Sequence, residues 1–386
     1  MSSNKIYFDN ASTTFVDESI LESFNKAIKL YPGNPSSIHK YGQESARVIE
    51  KSRRLILDSL SLPNHEVVFT SSATEANNLA VKGFALAHKT RGKHIIVSEV
   101  EHPSILETAR ELERDFGYEV SYLHIGKDGK VDIEELKTLI RDDTFLVSIM
   151  AVNNEIGSVN DIEKIAKILK EYPKIVFHVD GVQALGKINI NYKDADMITF
   201  TGHKVHGLVG AGCLIKRKGI ALEAIINGGG QENNIRSGTY SLPLISTLAL
   251  AISKAVKNQQ ECFNKVKILS DRLLEGLKWF TGLIVINSNN EENPFVVNFS
   301  FKNHKASVVV EALSNIGIFV SSISACHSRG EPVSYVVKAL THDDVLAHNT
   351  IRVSFDSQNT IEEVDIFVRE LKEIIGGLKQ WLPTIT

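Results

Sequence analysis

Short apolar runs, each closed by a polar turn, recur along the chain at Glu66 to Phe69, Lys93 to Ser98, Glu119 to His124, Thr144 to Met150, Lys174 to Asp180, Met197 to Phe200 and Gly210 to Ile215. They are too short for buried helices and mark strands covered on both faces. Between them lie helical repeats, such as Ile162, Ile165, Ala166 and Leu169 at i, i+3, i+4 and i+7. Strands alternating with helices across short connections predict a mainly parallel sheet with helices on both faces. Ligand sites in such sheets lie beyond the carboxyl ends of the strands.

Two of those strand ends carry chemistry. The run Met197 to Phe200 breaks at Thr201-Gly202 into a turn that holds Lys204 between His203 and His206. A lysine there either points into solvent, as most lysines do, or projects into a site where desolvation and neighbouring cations make the amine nucleophilic. The preceding strand delivers Asp180, and then Gln183, at its own end. An acid and a lysine at neighbouring strand ends are what pyridoxal phosphate requires. The lysine holds the cofactor covalently, and the acid keeps a proton on the pyridine nitrogen so that the ring accepts electrons from a substrate carbanion. Alone, Asp180 also reads as a turn cap after a strand.

The segments His178-Val179-Asp180-x-x-Gln183, Thr201-Gly202-His203-Lys204 and Arg236-Ser237-Gly238-Thr239, with Ser324-Ala325-Cys326 downstream, resemble the cysteine desulfurases of the class V pyridoxal-phosphate aminotransferase group. The match is collinear from Tyr7-Phe8-Asp9-Asn10-Ala11 to the region of Asp365. It implies an α/β chain of the PLP-dependent transferase fold type I. Residues 12–255 would form a large domain on a mainly parallel seven-stranded sheet, and residues 1–11 and 256–386 a smaller α/β domain carrying the nucleophile loop.

The resemblance also implies site residues. Ala73 and Thr74, at the helix start opened by the Ser72-x-x-Glu75 capping pattern, would hold the cofactor phosphate, as free N–H groups and the helix dipole favour. Thr201 and His203 would line the cofactor with Lys204, and Thr239 would reach the partner subunit's cofactor phosphate, which makes a homodimer. The Glu101-His102 motif would stack its imidazole on the pyridine and move protons, work suited to a pKa near ~6.5. Asn154, within Asn153-Asn154-Glu155-Ile156-Gly157, and Gln183 would lie beside the phenolic oxygen. Asn34, within Gly33-Asn34-Pro35-Ser36, and Arg352 would bind substrate, the arginine's planar fork gripping a carboxylate. Without the resemblance, Asn34 is a turn before proline, His102 a cap and Asn153-Asn154 a turn before glycine.

The stretch Ser321 to Pro332 is small, polar and bounded by Gly330 and Pro332, so Cys326 reads as an accessible thiol, with His327 and Arg329 favouring its thiolate. Cys213 reads as a buried filler, and Cys262 has no acid-base partner nearby in sequence. The implied activity converts L-cysteine to L-alanine and leaves sulfur on Cys326 as a persulfide, for an acceptor thiol or protein in iron-sulfur cluster or thio-cofactor biosynthesis. Ile323 stands where many desulfurases have glycine; a selenocysteine lyase and a weakly active regulatory paralogue are the alternatives. A net charge of -3 without long like-charge blocks gives no reason to expect nucleic acid or an anionic membrane as partner. No apolar run approaches the ~20 residues of a membrane span, and the first residues lack the apolar core of a signal peptide. Three scattered cysteines make neither a disulfide framework nor a metal cluster. A cytoplasmic protein without a bound metal is expected.

Overall fold

The structure, a computed structural model, describes residues 5–322 and 333–379. The chain opens with a two-residue strand, β1 (Ile6–Tyr7). It then builds a seven-stranded sheet from β2 (His65–Thr70), β3 (His94–Ser98), β4 (Glu119–Leu123), β5 (Thr144–Ser148), β6 (Val176–Asp180), β7 (Met197–Thr201) and β8 (Gly212–Arg217). The spatial order is β2-β8-β7-β6-β5-β3-β4; β8 runs antiparallel to β2 and β7, and the other pairs are parallel. The seven-stranded, mainly parallel α/β arrangement expected from the sequence is thus observed.

The central strands are buried along their whole length. Phe177, Val179, Ile198 and Phe200 enter the core on one face, while Val176, Met197, Phe145 and Leu146 enter the core on the other. Both faces are covered, so alternating side chains are all apolar and the strands read as continuous runs. Polar side chains interrupt the apolar runs where they pair with one another: His178 Nδ1 lies 2.8 Å from Ser148 Oγ and its Nε2 3.0 Å from Thr199 Oγ1. Burial pushes its pKa down to about 3, so it pins three strands as a neutral ring. At the start of β8, Gly212 passes so close to the turn before the Ser72-capped helix that a Cβ would stand 2.6 Å from the Ser72 carbonyl carbon. Glycine is required there for close backbone approach, not for an unusual dihedral.

A second, smaller layer follows. Strands β9 (Ile284–Ile286), β10 (Val296–Phe301) and, after the two-residue β11 (Ile318–Phe319), β12 (Thr350–Ser354) are its frame. β10 lies between β9 and β12, antiparallel to both, and β1 returns to pair in parallel with β11. Phe8 packs edge-on against Phe355 and Phe367, with ring centroids 5.2 and 5.9 Å apart. The segment after it, from Asp9 to Phe15, is thereby anchored at one end and led across to the large sheet.

One helix of 36 residues, Leu242–Leu277, serves both cores: Leu242, Ile245, Leu248 and Ile252 face the first, and Val266, Leu269, Leu273 and Leu277 the second. The sequence reading passed over the helix Lys40–Ser59, whose buried positions are Gly42, Ser45, Ile49, Ser52 and Ile56. Glycine and serine there carry no hydrophobic periodicity. It also passed over β9 and the helices Tyr335–Thr341 and Asp344–His348. Cys213 is fully buried, its thiol pushed up to about 12 by desolvation, as a filler should be. Cys262 is half-buried, and Cys326, His327 and Arg329 lie outside the described residues. Among the described residues no helix is long and apolar enough to cross a membrane, and no group of His, Cys, Asp and Glu is arranged to hold a metal ion.

Candidate active site

The turn that ends β7 is a single 3₁₀ turn, Gly202–Lys204. It is sewn to the N-terminal segment: Thr14 N–H and Thr14 Oγ1 both donate to the His203 carbonyl, at 2.9 and 3.0 Å, and the His206 N–H donates to Thr14 Oγ1 at 2.8 Å. His206 takes a left-handed φ of 60° in this arrangement. Thr201 Oγ1 donates to the Ala211 carbonyl (3.0 Å) and so closes the turn. Lys204 Nζ donates to the carbonyls of Ala11 (2.5 Å) and Ser12 (2.7 Å). Burial, followed by Arg352 and Lys187, lowers its pKa to about 7, against the opposite pull of Asp9 and Asp180. An ordinary lysine, with pKa near ~10.4, has only about one amine in 2,500 neutral at pH 7; Lys204 has a substantial fraction neutral. Burial and the Lys204 and Lys187 charges also hold the neighbouring His203 down, at about 4, with its Nδ1 3.3 Å from Thr13 Oγ1.

Arg352, on β12, reaches the same segment. Its Nη2 donates to Asp9 Oδ1 (2.8 Å) and Ser12 Oγ (2.6 Å), and its Nη1 to the Asn154 carbonyl (2.7 Å). Nε is buried without a partner among the described residues. Asn153 makes the turn, its Oδ1 accepting from the N–H groups of Glu155 and Ile156. The side chain of Asn154 is left over, with a buried, unpartnered Oδ1. Gln183 Nε2 donates to the Ala11 carbonyl (2.9 Å), while its Oε1 accepts from Lys187 Nζ (3.3 Å). Burial takes Lys187 down to about 8.

Asp180 ends β6 with Oδ1 accepting from Val182 N–H (3.0 Å) and Oδ2 from Asn77 Nδ2 (2.8 Å). His102 caps the helix Pro103–Phe116, its Nδ1 accepting from Ser104 N–H. Burial and the Lys204 charge lower its pKa while Asp180 raises it, leaving it below the usual histidine range. Before it, Glu101 is fully buried; Oε1 accepts from Met150 N–H (2.6 Å) and Oε2 has no partner among the described residues. Burial and the nearby Asp180 charge push Glu101 well above the usual carboxylate range.

At the other end, Ser72 Oγ caps Glu75 N–H, so the N–H groups of Ala73 and Thr74 precede the first intrahelical bond of the segment. Glu75 completes the cap differently from the expected box, accepting from Ser71 N–H and Oγ and from Arg236 Nε (2.7 Å). Thr74 and Thr239 are exposed in the single chain. Asn34 is exposed as well, and its Oδ1 accepts from Ser36 N–H (2.9 Å) as a local turn does. Lys204, Asp180, His102, Gln183, Asn154 and Arg352 are therefore gathered around one centre; Thr74 lies on the short helix whose Asn77 bonds Asp180, and Asn34, Thr74 and Thr239 are exposed in one chain.

Residues 6–367 match the family model for class-V aminotransferases. The chain is 40% identical over 383 residues to a protein of Neisseria meningitidis named cysteine desulfurase IscS, covering 98% of this chain and 94% of the relative. The chain belongs to the class-V aminotransferase family. A solved structure described as a NifS-like protein superposes with a TM-score of 0.89 at 36% identity, over 97% of this chain and all of that one. Another, described as SspA in complex with cysteine, gives 0.78 at 32%, over 92% of this chain and all of that one.

Pyridoxal phosphate is the cofactor of this family, and the class-V centre fits it on local chemistry. Asp180 accepts only from neutral donors, so a cation is what its charge lacks; a pyridinium supplies one. Asn154 Oδ1 lacks a donor, and Lys204 offers a neutral amine at neutral pH. Sequence reasoning missed Asp9, Ser12, Asn77, Glu101 and Lys187. Of these, Glu101 and Asp9 were legible as members of motifs, whereas Asn77 and Lys187 carry no pattern that separates them from ordinary helix residues.

Proposed function

We propose that this class-V aminotransferase is a pyridoxal-phosphate-dependent cysteine desulfurase that converts L-cysteine to L-alanine and takes the sulfur as a persulfide on Cys326. The observation that carries the reading is the buried Lys204 amine, near neutrality, held by the Ala11 and Ser12 carbonyls with Asp180 and Arg352 around it. When bound, the cofactor supplies an electron sink for the substrate carbanion.

The chain's own residues divide the remaining work. Ala73, Thr74, Thr201 and His203 would hold the cofactor, with Thr239 from a second copy of the chain. Asp180 would keep the pyridine nitrogen protonated, and His102, Asn154 and Gln183 would complete the cofactor's lining. Arg352, fixed by three hydrogen bonds, would give its remaining N–H groups to the substrate carboxylate, with Asn34 contributed at the mouth. Lys204 gives and takes protons at its Nζ. Cys326 attacks the cysteine sulfur: the Cβ–S bond breaks, an S–S bond forms, and Cβ takes a proton, so that cysteine and one thiol become alanine and one persulfide. An acceptor thiol or protein then removes the sulfur for iron-sulfur or thio-cofactor assembly. The exposure of Thr74, Thr239 and Asn34 in one chain supports the homodimer, and chemistry through a free thiol supports a reducing, cytoplasmic setting. Residues 12–255 are taken as the large domain and the remainder as the small one, joined by the helix Leu242–Leu277.

Borohydride reduction of the holoenzyme followed by peptide mapping tests the assignment. The label is expected on Lys204, and a label on Lys187 or any other lysine sinks it.

A further inference from the structure

His102 is tied to Asp180 through two residues that no cofactor contact requires. The Ser104 N–H, which can only donate, points at His102 Nδ1 from 3.1 Å. Nδ1 is therefore an acceptor and carries no proton. Ser104 Oγ lies 2.8 Å from the same Nδ1 and donates to it, while accepting from Asn77 Nδ2 at 2.9 Å. The Asn77 amide is fixed in turn, because its Nδ2 also donates to Asp180 Oδ2 at 2.8 Å and a carboxylate oxygen only accepts. Asn77 Oδ1 is left buried without a partner among the described residues, so the amide is turned for its donors. Both Asn77 and Ser104 are buried. Each orientation follows from the one before it, from the acid to the imidazole.

We propose that Asn77 and Ser104 are positioning residues that fix His102 as a neutral imidazole with its single proton on Nε2, where it is a hydrogen-bond donor. The consequence for catalysis rests on the desulfurase reading; the tautomer does not. An imidazole in this state acts as a base only by taking a second proton at Nδ1, where two donors already point. It acts as an acid only by becoming an imidazolate. The charged groups around it agree. Burial and Lys204 oppose a second proton and Asp180 favours one, while burial and the Asp180 charge raise the adjoining Glu101. Lys204, at about 7, is the group matched to proton transfer at neutral pH.

The test is a two-bond proton–nitrogen correlation spectrum of ¹⁵N-histidine holoenzyme from about pH 6 to about pH 8, with His102 assigned by its absence in His102→Asn. Wild type should show a protonated Nε2 and a bare, hydrogen-bonded Nδ1 throughout, without titration. Ser104→Ala and Asn77→Ala each remove support from Nδ1 and should raise the protonation midpoint into that window, and Ser104→Thr should restore the wild-type pattern. Should Asn77→Ala not fold, Ser104→Ala, which keeps the helix N–H, decides. An imidazolium at neutral pH in wild type, a proton on Nδ1, or variants as pH-independent as wild type overturns the proposal. The same spectrum of the cofactor-free chain reads the tautomer by itself, so a chain that binds no pyridoxal phosphate would sink the functional reading and leave this one to its own result.

Discussion

Replacing Arg352 by lysine separates gripping a carboxylate from merely supplying positive charge. Arg352 is 6% exposed and holds Asp9, Ser12 and the Asn154 carbonyl with three of its five N–H groups, which leaves the Nε hydrogen and one Nη1 hydrogen unpaired among the described residues. A lysine amine is a point charge with no planar fork, so it can replace the contact to Asp9 or the contact to a substrate but not both in register. The loss is at least one hydrogen bond to a charged group, about 1.5–3 kcal/mol. At ~1.4 kcal/mol per factor of ten, kcat/KM for L-cysteine should fall roughly 10- to 150-fold. The control is L-cysteine methyl ester, whose carboxyl bears no charge. Wild type should discriminate against the ester by a similar factor, and Arg352→Lys should treat acid and ester nearly alike. A variant that loses equal activity toward both would show that Arg352 acts on the scaffold and not on the carboxylate.

Other perturbations reach the remaining parts of the site. Asp180→Asn should keep the cofactor yet lose a few kcal/mol of turnover, at ~1.4 kcal/mol per factor of ten; near-normal kcat would argue that the acid does not face the ring nitrogen. Lys187→Met removes a buried cation that lowers the Lys204 pKa, so reductive methylation of Lys204 in the cofactor-free chain at pH 7 should slow, and an unchanged rate would remove Lys187 from the electrostatics. His206 donates from Nδ1 to the Phe15 carbonyl and from Nε2 to Asp356, both at 2.9 Å. Burial lowers its pKa, but the Asp356 carboxylate and that carbonyl leave it raised, whereas Asp356 is held low against its own burial chiefly by the His206 bond. The pair therefore stabilises fully below the unfolded histidine value near ~6.5 and above the unfolded aspartate value near ~3.9. The stabilisation is lost as pH rises through the raised His206 value or falls through the depressed Asp356 value. The unfolding midpoints of wild type and Asp356→Asn should accordingly converge as pH rises above neutral; a gap that persists would mean the pair contributes no charge-dependent stability.

The strands were legible because burial on both faces turns them into continuous apolar runs, and strand ends singled out Asp180 and Lys204 as candidates, which the family resemblance then decided. The helix Lys40–Ser59 was not, since it packs through Gly42, Ser45 and Ser52 and so lacks an apolar stripe. The Asp9–Arg352 pair joins residues 343 apart in sequence, and no local pattern announces a contact of that range. Asn153 and Asn154 were ambiguous in sequence; in the structure they divide the two readings, one making the turn and the other leaving an open acceptor in the site. Asn77 was invisible for a different reason: its importance lies in two hydrogen bonds made in three dimensions.

The central claim is most directly tested by product analysis of the purified chain with pyridoxal phosphate and L-cysteine. With excess thiol reductant, alanine and sulfide should form in equal amounts; without it, mass spectrometry should find one added sulfur on the peptide containing Cys326 and none on those containing Cys213 or Cys262. Pyruvate and ammonia in place of alanine, or normal desulfuration by Cys326→Ala, would contradict the account.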